Sequence, residues 1–452
     1  MDYFDVVVSL KGIIATRNAA DYAVIEKRAH PADIAGALAQ HPARDQSLVL
    51  GMASPAARAE VFGYLDQDQQ VRIAQHLDRR RLAELFLNMS SDERADLYNR
   101  LSDDQRDTIM PALAQVERED IRQLAAYPEK TVGSVMTSDY ATLSPGLTAA
   151  EAIDELRRVA PDTETIYQAY VIDKGRRLIG VISLRELILA DPTARIGDLM
   201  KPSPVWISAS APREEAVHLI AKYDLLAVPV INGGNMLVGI VTYDDAMDVE
   251  QAETDTDFRK VGAVSELGRG LKEASITLLY RKRVFWLVLL VFGNLFSGAG
   301  IAYFEDTILA YVALVFFLPL LVDSGGNAGS QSATLMVRAL ATGDVVLKDW
   351  ASMLGRELIV AGLLGATMAL AVSGLGLWRG GPEIALVVAL SMQIVVIVGS
   401  LIGMSLPFVL SRLKMDPATA SAPLITSIAD ATGVVIYFAI ATTVLGLPEV
   451  GS

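Results

Sequence analysis

Apolar and polar positions change rhythm three times along the 452-residue chain. From about His30 to Tyr127, apolar residues recur at helical spacing in short runs, as at Leu82, Leu85, Phe86 and Met89, which predicts brief amphipathic helices. Ser54-Pro55, Ser91-Asp92-Glu93 and Ser102-Asp103-Asp104 each put a capping hydroxyl ahead of a proline or first-turn acids. Residues 1–30 carry little signal beyond a helix with a variable lead. From 132 to 250 the rhythm becomes strand-like and occurs twice. Val135-Met136 recurs as Leu199-Met200, and YVIDKGRRLIGVISLREL is echoed by VPVINGGNMLVGIVTYDDA. Each half predicts strand–helix–strand–strand–helix, with a glycine-containing turn between the last two strands.

Residues 251–283 are acidic and amphipathic, carry Glu253, Asp255 and Asp257, and end in Arg281-Lys282-Arg283. They predict a linker helix. Five spans follow. Residues 284–304 and 358–378 hold no charge, and 384–411 is a longer run with Pro407 as a kink point. Residues 307–322 are apolar and run past Asp323 into the small-residue stretch SGGNAGSQSATLMV. The fifth span carries Asp430, the only Asp, Glu, Lys or Arg between Asp416 and Glu449. Runs of this length can cross a bilayer as helices.

Charge sharpens the division. The whole chain carries a net charge of −14, most of it placed before residue 284, so the front is acidic and the rear nearly charge-free. An acidic front lacks the basic face that phosphate needs, so nucleic acid is excluded as a partner and cations are favoured. With no cysteine, disulfides, thiolate metal sites and Cys nucleophiles are excluded. His30, His41, His76 and His218 are scattered and all precede the spans; no nucleophile–base pair or phosphate loop is visible, so an enzyme is not expected. The start, MDYFDVVVSLKG, lacks a basic region followed by a long apolar core, so no cleavable leader is expected. Arg and Lys residues flank span one at its start, lie between spans two and three, and follow span four. Those junctions should be cytosolic, which places the front inside a plasma or inner membrane and the short tail outside.

Asp430 is the residue of greatest chemical interest. A carboxylate near the middle of a span costs roughly 2.5–3.5 kcal/mol, so it should face protein or water rather than lipid. An ion or proton site is one reading; a buried Asp that only pins two helices together is the other. The stretch PLLVDSGGNAGSQSATLMVRAL has a similar ambiguity. Gly325, Gly326 and Gly329 allow close helix packing, while Asn327, Ser330, Gln331 and Ser332 supply oxygens where a lipid-facing helix has none. A packing seam and a polar path both fit.

The doubled strand–helix pattern resembles a tandem pair of CBS (cystathionine β-synthase) domains, modules that often bind adenine nucleotides such as ATP and often dimerise; a purely architectural pair is the alternative. Thr242 and Asp245 match part of the pattern that contacts ribose. Together with the acidic linker, five spans, GGNAGSQ in the second and DPATASAPLITSIADATGVVIYF in the fifth, the chain resembles the MgtE family of magnesium channels. The resemblance implies a multidomain α, α/β and membrane-α architecture. Its parts would be an N-terminal helical-repeat domain (1–130), tandem CBS domains (131–250), a linker or plug helix (251–283) and a five-helix transmembrane pore domain (284–452). It further implies a homodimer in the lipid bilayer whose pore, lined by spans two and five, passes Mg²⁺ and leaks Mn²⁺, Co²⁺ or Ni²⁺. Asp430 then matches the selectivity site, helped by main-chain oxygen near Thr426 and by Asn327 and Gln331. A regulatory Mg²⁺ sensor would use Asp92, Glu93, Asp96, Glu214, Asp224, Asp245, Asp248, Glu253 and Asp257. Thr256 stands where another acid would be expected, and Ala422 leaves only backbone two turns before Asp430. Two rivals stay open: a divalent-cation transporter coupled to H⁺ or Na⁺, and a membrane-anchored nucleotide sensor that conducts nothing.

Overall fold

The computed structural model describes residues 1–262 and 275–446. It forms two compact units, Met1–Ala252 and Glu253–Ser452.

The first unit begins with ten helices: α1 (Tyr3–Thr16), α2 (Ala19–Arg28), α3 (Pro31–Leu38), α4 (Ala43–Leu50), α5 (Pro55–Gly63), α6 (Gln67–Ala74), α7 (Arg79–Asn88), α8 (Ser91–Arg100), α9 (Asp103–Ile109) and α10 (Gln115–Ala125). Residues 1–30 thus hold two helices rather than one. The N-caps are Asn18, His30, Pro42, Ser54, Asp66, Asp78, Ser90, Ser102 and Ala114, one at every twelfth residue. Asn18, Ser54, Asp66 and Asp78 accept first-turn N–H groups that would otherwise lack partners. Ser90, not Ser91, caps α8; Ser91 is fully buried and its hydroxyl meets Thr137 Oγ1 at 2.9 Å.

The same period governs the other helix ends. Four residues after a cap, Gln46 donates to Leu38 O at 2.9 Å, Arg58 to Leu50 O at 2.9 Å, Gln70 to Phe62 O at 3.0 Å and Arg106 to Tyr98 O at 2.8 Å. Each adds a second donor to a carbonyl near the end of the preceding helix that already accepts the backbone N–H three residues on. Leu10, Tyr22, Leu38, Phe62, Leu85 and Phe86 fill a common core between the helices.

The CBS pair follows as β1 (Tyr140–Leu143), α11 (Ala149–Val159), β2 (Thr165–Ile172), β3 (Leu178–Ser183), α12 (Leu184–Leu189), α13 (Ile196–Leu199), β4 (Lys201–Pro202), β5 (Ile207–Ser208), α14 (Arg213–Tyr223), β6 (Ala227–Ile231), β7 (Leu237–Thr242) and α15 (Tyr243–Val261). The expected order of strands and helices is present in both halves. In each sheet a parallel pair precedes an antiparallel hairpin. The leading segments are exchanged. Lys201 and Pro202, which introduce the second half, pair with β3 of the first; Thr137, ahead of the first half, bridges Ile240 of the second. The recurrent methionine has the same cause. A Cβ on Gly180 would lie 2.5 Å from Met200 Sδ, and one on Gly239 2.7 Å from Met136 Sδ, so each hairpin strand carries a glycine where the other half's methionine packs.

The expected linker helix over 251–283 takes another form. α15 runs unbroken from the second CBS half to Val261, residues 263–274 lie outside the described residues, and the next helix has begun by Ile276. Arg281, Lys282 and Arg283 therefore sit inside that helix rather than ahead of it. The rear comprises α16 (Ile276–Tyr303), α17 (Glu305–Ala310), α18 (Ala313–Ala341), α19 (Trp350–Arg412) and α20 (Ala422–Val444). α19 is two spans joined at Gly381, whose φ of +79° leaves the helical region immediately before Pro382. Ile276–Tyr303, Leu347–Arg412 and Ala422–Val444 are long and apolar enough to cross a membrane. α18 has the length, 29 residues, but is diluted by Asp323, Asn327, Gln331 and its small residues.

Candidate functional site

α18 uses its small residues on two faces. Against α19, a Cβ on Gly403 would fall 1.9 Å from Gly329 O, and one on Gly399 2.3 Å from Gly325 O, so the helices touch backbone to backbone. Against α20, a Cβ on Gly326 would meet Thr426 Cγ2 at 2.9 Å and Asp430 Oδ1 at 3.2 Å. The seam and the polar face are therefore both real, on different sides of one helix.

Asp430 lies two turns into α20, whose first turn holds Pro423. The residue is half-buried, and its Oδ1 is fully buried with no hydrogen-bond partner among the described residues. An unsatisfied carboxylate oxygen is expensive in an apolar setting, and a group that supplies positive charge or donors would satisfy it. One turn earlier, Thr426 Oγ1 lies 3.2 Å from Ser330 Oγ, which also donates to Ala422 O at 3.4 Å. The backbone at Ala422 thus takes the contact that its side chain cannot. Asn327 and Gln331 are exposed on α18, and Asn327 donates to Asp323 Oδ2 at 2.9 Å. Asp323, also exposed, is the polar group that the sequence analysis passed over. Its signal was a carboxylate followed by an amide four residues on, in an otherwise apolar run.

A second group of acids lies within the front unit. Asp92 and Glu93 open α8, with Asp96 one turn on; Asp92 lies within Coulombic range of Asp139, Glu164 and Asp245, Glu93 within that of Glu164, and Asp244 adjoins Glu164 and Asp245. Burial, then the charge of Asp92 and Glu164, pushes the Glu93 carboxyl up to about 7. Burial likewise lifts Asp96 to about 6, against the pull of Arg100. Asp92 and Asp245 are also raised, by burial first and then by Asp139 and Asp92 respectively. Asp248 is raised by burial and by Asp244. Thr242 donates to Asp245 Oδ2 at 2.6 Å, so the two expected nucleotide-contacting residues are held together, and Asp245 faces the acids as well. Asp139 and Glu164 are not conspicuous in the sequence, because only the docking of the α8 region on the CBS pair brings them near Asp92.

The other expected acids are dispersed. Glu214 opens α14 and Asp224 closes it, roughly 15 Å apart along an eleven-residue helix. Asp257 lies 3.6 Å from Lys260 Nζ, and Lys260 also pairs with Asp416. Glu253 adds its charge to the same neighbourhood. Among the described residues, no three His, Cys, Asp or Glu side chains converge closely enough to hold a bare metal ion.

Three family models match in register with these parts: the MgtE intracellular N domain at 29–130, CBS domains at 132–192 and 196–251, and a divalent cation transporter model, MgtE, at 318–440. The magnesium transporter MgtE of Thermus thermophilus is 41% identical over 326 residues, 72% of each chain. That of Bacillus subtilis is 37% identical over 323 residues, 71% of each chain. The cytosolic domain of the Mg²⁺ channel MgtE, solved in complex with ATP, is 34% identical with a TM-score of 0.52, covering 54% of this chain and 99% of that one. The soluble part of a magnesium transporter is 26% identical with a TM-score of 0.53, covering 56% and 99%.

Proposed function

This chain belongs to the MgtE family of magnesium transporters, and from that premise we propose that it is a Mg²⁺ channel closed by cytosolic Mg²⁺. The observation that carries the channel reading is Asp430, a carboxylate deep in an apolar helix with a buried oxygen that has no hydrogen-bond partner among the described residues. Two copies of the chain would bring two such carboxylates to one axis, lined by α18 and α20, with Thr426 backbone, Asn327 and Gln331 beside them.

Mg²⁺ prefers oxygen ligands in octahedral array and sheds water reluctantly, so paired carboxylates would take it with its hydration shell kept. Doubled negative charge in a confined, low-dielectric space favours divalent over monovalent ions. Mn²⁺, Co²⁺ and Ni²⁺, as similar aquo ions, would leak through. The net driving force is the electrochemical gradient, with the front unit in the cytoplasm and the rear crossing the plasma membrane.

Closure draws on the acids. At low Mg²⁺, Asp92, Glu93 and Asp96 repel Glu164, Asp244 and Asp245, and the helical and CBS parts separate. Rising Mg²⁺ bridges these groups, with Asp248, Glu253, Asp257, Glu214 and Asp224 as further ligands, and closes the pore. Moving the switch from mostly open to mostly closed takes about 5.5 kcal/mol of differential binding, within reach of several weak sites acting together. The CBS pair would bind adenine nucleotide through Thr242 and Asp245, as the ATP complex of a similar cytosolic domain encourages.

The test is Mg²⁺ flux into liposomes at clamped potential and varied pH. A channel needs no counter-ion gradient, whereas a coupled transporter stops without one. Asp430→Ala should abolish flux while the protein keeps its elution volume in detergent. Wild-type flux through that variant would remove the assigned site.

A further inference from the structure

α18 carries a second carboxylate that the path described so far leaves unused. α18 and α20 run antiparallel: Gly326 faces Asp430 and Thr426, whereas Val322 faces Gly433. Asp323, next to Val322, is therefore level with the part of α20 just beyond Asp430, within about one helical turn of it toward the C-terminal end of α20. The two carboxylates lie within each other's field. Asn327 occupies one oxygen of Asp323 and holds the group along the face that also bears Gln331. Lipid cannot cover that face without a cost of roughly 2.5–3.5 kcal/mol for the charge alone. Two like charges this close in a span repel, and water or a cation between them, or a proton on one of them, relieves the repulsion.

We propose that Asp323 is a second cation-handling carboxylate, which receives the hydrated divalent ion at the end of the path where α20 finishes and passes it to Asp430. The inference rests on the reading of Asp430 as the ion site. Asp323 concentrates the ion, and Asp430, hemmed by Gly326 and Thr426, discriminates. Two closely spaced sites of like charge also let an arriving ion weaken the hold on the one ahead, so binding does not become a trap. Because contact runs through water, charge at 323 matters more than side-chain length.

The experiment is Mg²⁺ flux against Mg²⁺ concentration, with Na⁺ permeation measured in parallel, for the full-length protein in liposomes. Asp323→Asn keeps an oxygen for Asn327 and removes only the charge. It should raise the half-saturating Mg²⁺ about tenfold, the factor set by 1.4 kcal/mol, and increase Na⁺ passage. Asp323→Glu should restore both. Asn327→Asp, one turn along the same face, should lower the half-saturating concentration, and it keeps the idea open to refutation if Asp323→Asn does not reconstitute. Unchanged saturation and Na⁺ exclusion in Asp323→Asn, or unchanged saturation in Asn327→Asp, overturns the role of Asp323 while a dead Asp430→Ala leaves the path intact. A conducting Asp430→Ala would instead sink the path itself.

Discussion

At the scale of single residues, glycine and aspartate divide the work of the membrane part. Gly403 and Gly329 exist so that two backbones can touch. Gly403→Ala would press a methyl group to 1.9 Å from a main-chain oxygen that cannot rotate away. Overpacking typically costs about 1–3 kcal/mol, and a backbone clash of this depth belongs at the top of that range or above it. Thermal unfolding in detergent should show a marked loss, while Gly362→Ala, where an added Cβ meets nothing within 4 Å, should be nearly silent. Equal behaviour of the two would contradict the seam. Asp430 was legible in the sequence because one charge in a long apolar run is conspicuous. Asp323 was not, since it sits at the edge of such a run and looks like a span boundary. Only the level at which α18 crosses α20 puts it beside Asp430.

Among the elements, the helical front is governed by its twelve-residue period. Every repeat begins at an N-cap position, which a capping side chain fills in several, and several spend the fifth residue on the carbonyl end of the repeat before. Gln70→Leu would leave Phe62 O with only the Leu65 N–H, a loss of one hydrogen bond worth about 0.5–1.5 kcal/mol. Urea unfolding of a 1–252 fragment should register that loss, and a midpoint equal to wild type would show the ladder to be incidental. Arg94 holds the same fifth place in α8 but departs from the pattern: its guanidinium lies 3.6 Å from both Asp120 and Asp139, ahead of β1. One rung of the ladder thus fastens the helical repeats to the CBS pair. The short helices could be foreseen from Ser, Asp and Pro at their starts. The period itself was also present, as polar Gln or Arg at 46, 58, 70, 94 and 106, but a buried guanidinium does not look like core until its carbonyl partner is seen.

For the molecule as a whole, the acid cluster makes stability depend on pH and Mg²⁺ together. With Glu93 held at about 7 and Asp96 at about 6, the folded front unit keeps protons that its unfolded chain has released. Stability therefore falls as pH rises from the ordinary carboxylate range through about 7, the window in which the folded state binds more protons. Without Mg²⁺, the 1–252 fragment should melt lower at pH 8 than at pH 6. Saturating Mg²⁺ should narrow that gap, because the ion and the protons compete for the same oxygens. A melting temperature that rises over this interval in metal-free buffer would show the acids to be solvated and independent. The broad plan of helices, doubled CBS halves and spans was legible from hydropathy and self-similarity. The grouping of Asp92 with Glu164 and Asp245 was not, because it joins residues more than seventy positions apart through packing that no local pattern encodes.

The crossed leading strands of the CBS pair carry a consequence for how such a chain can be cut. A truncation that ends after the first half would leave β3 without Lys201 and Pro202, baring a row of main-chain donors and acceptors along an apolar strand. Exposed edges of that kind recruit other chains. Each half is thus the other's guard against clumping, and the two are best regarded as a single indivisible cassette.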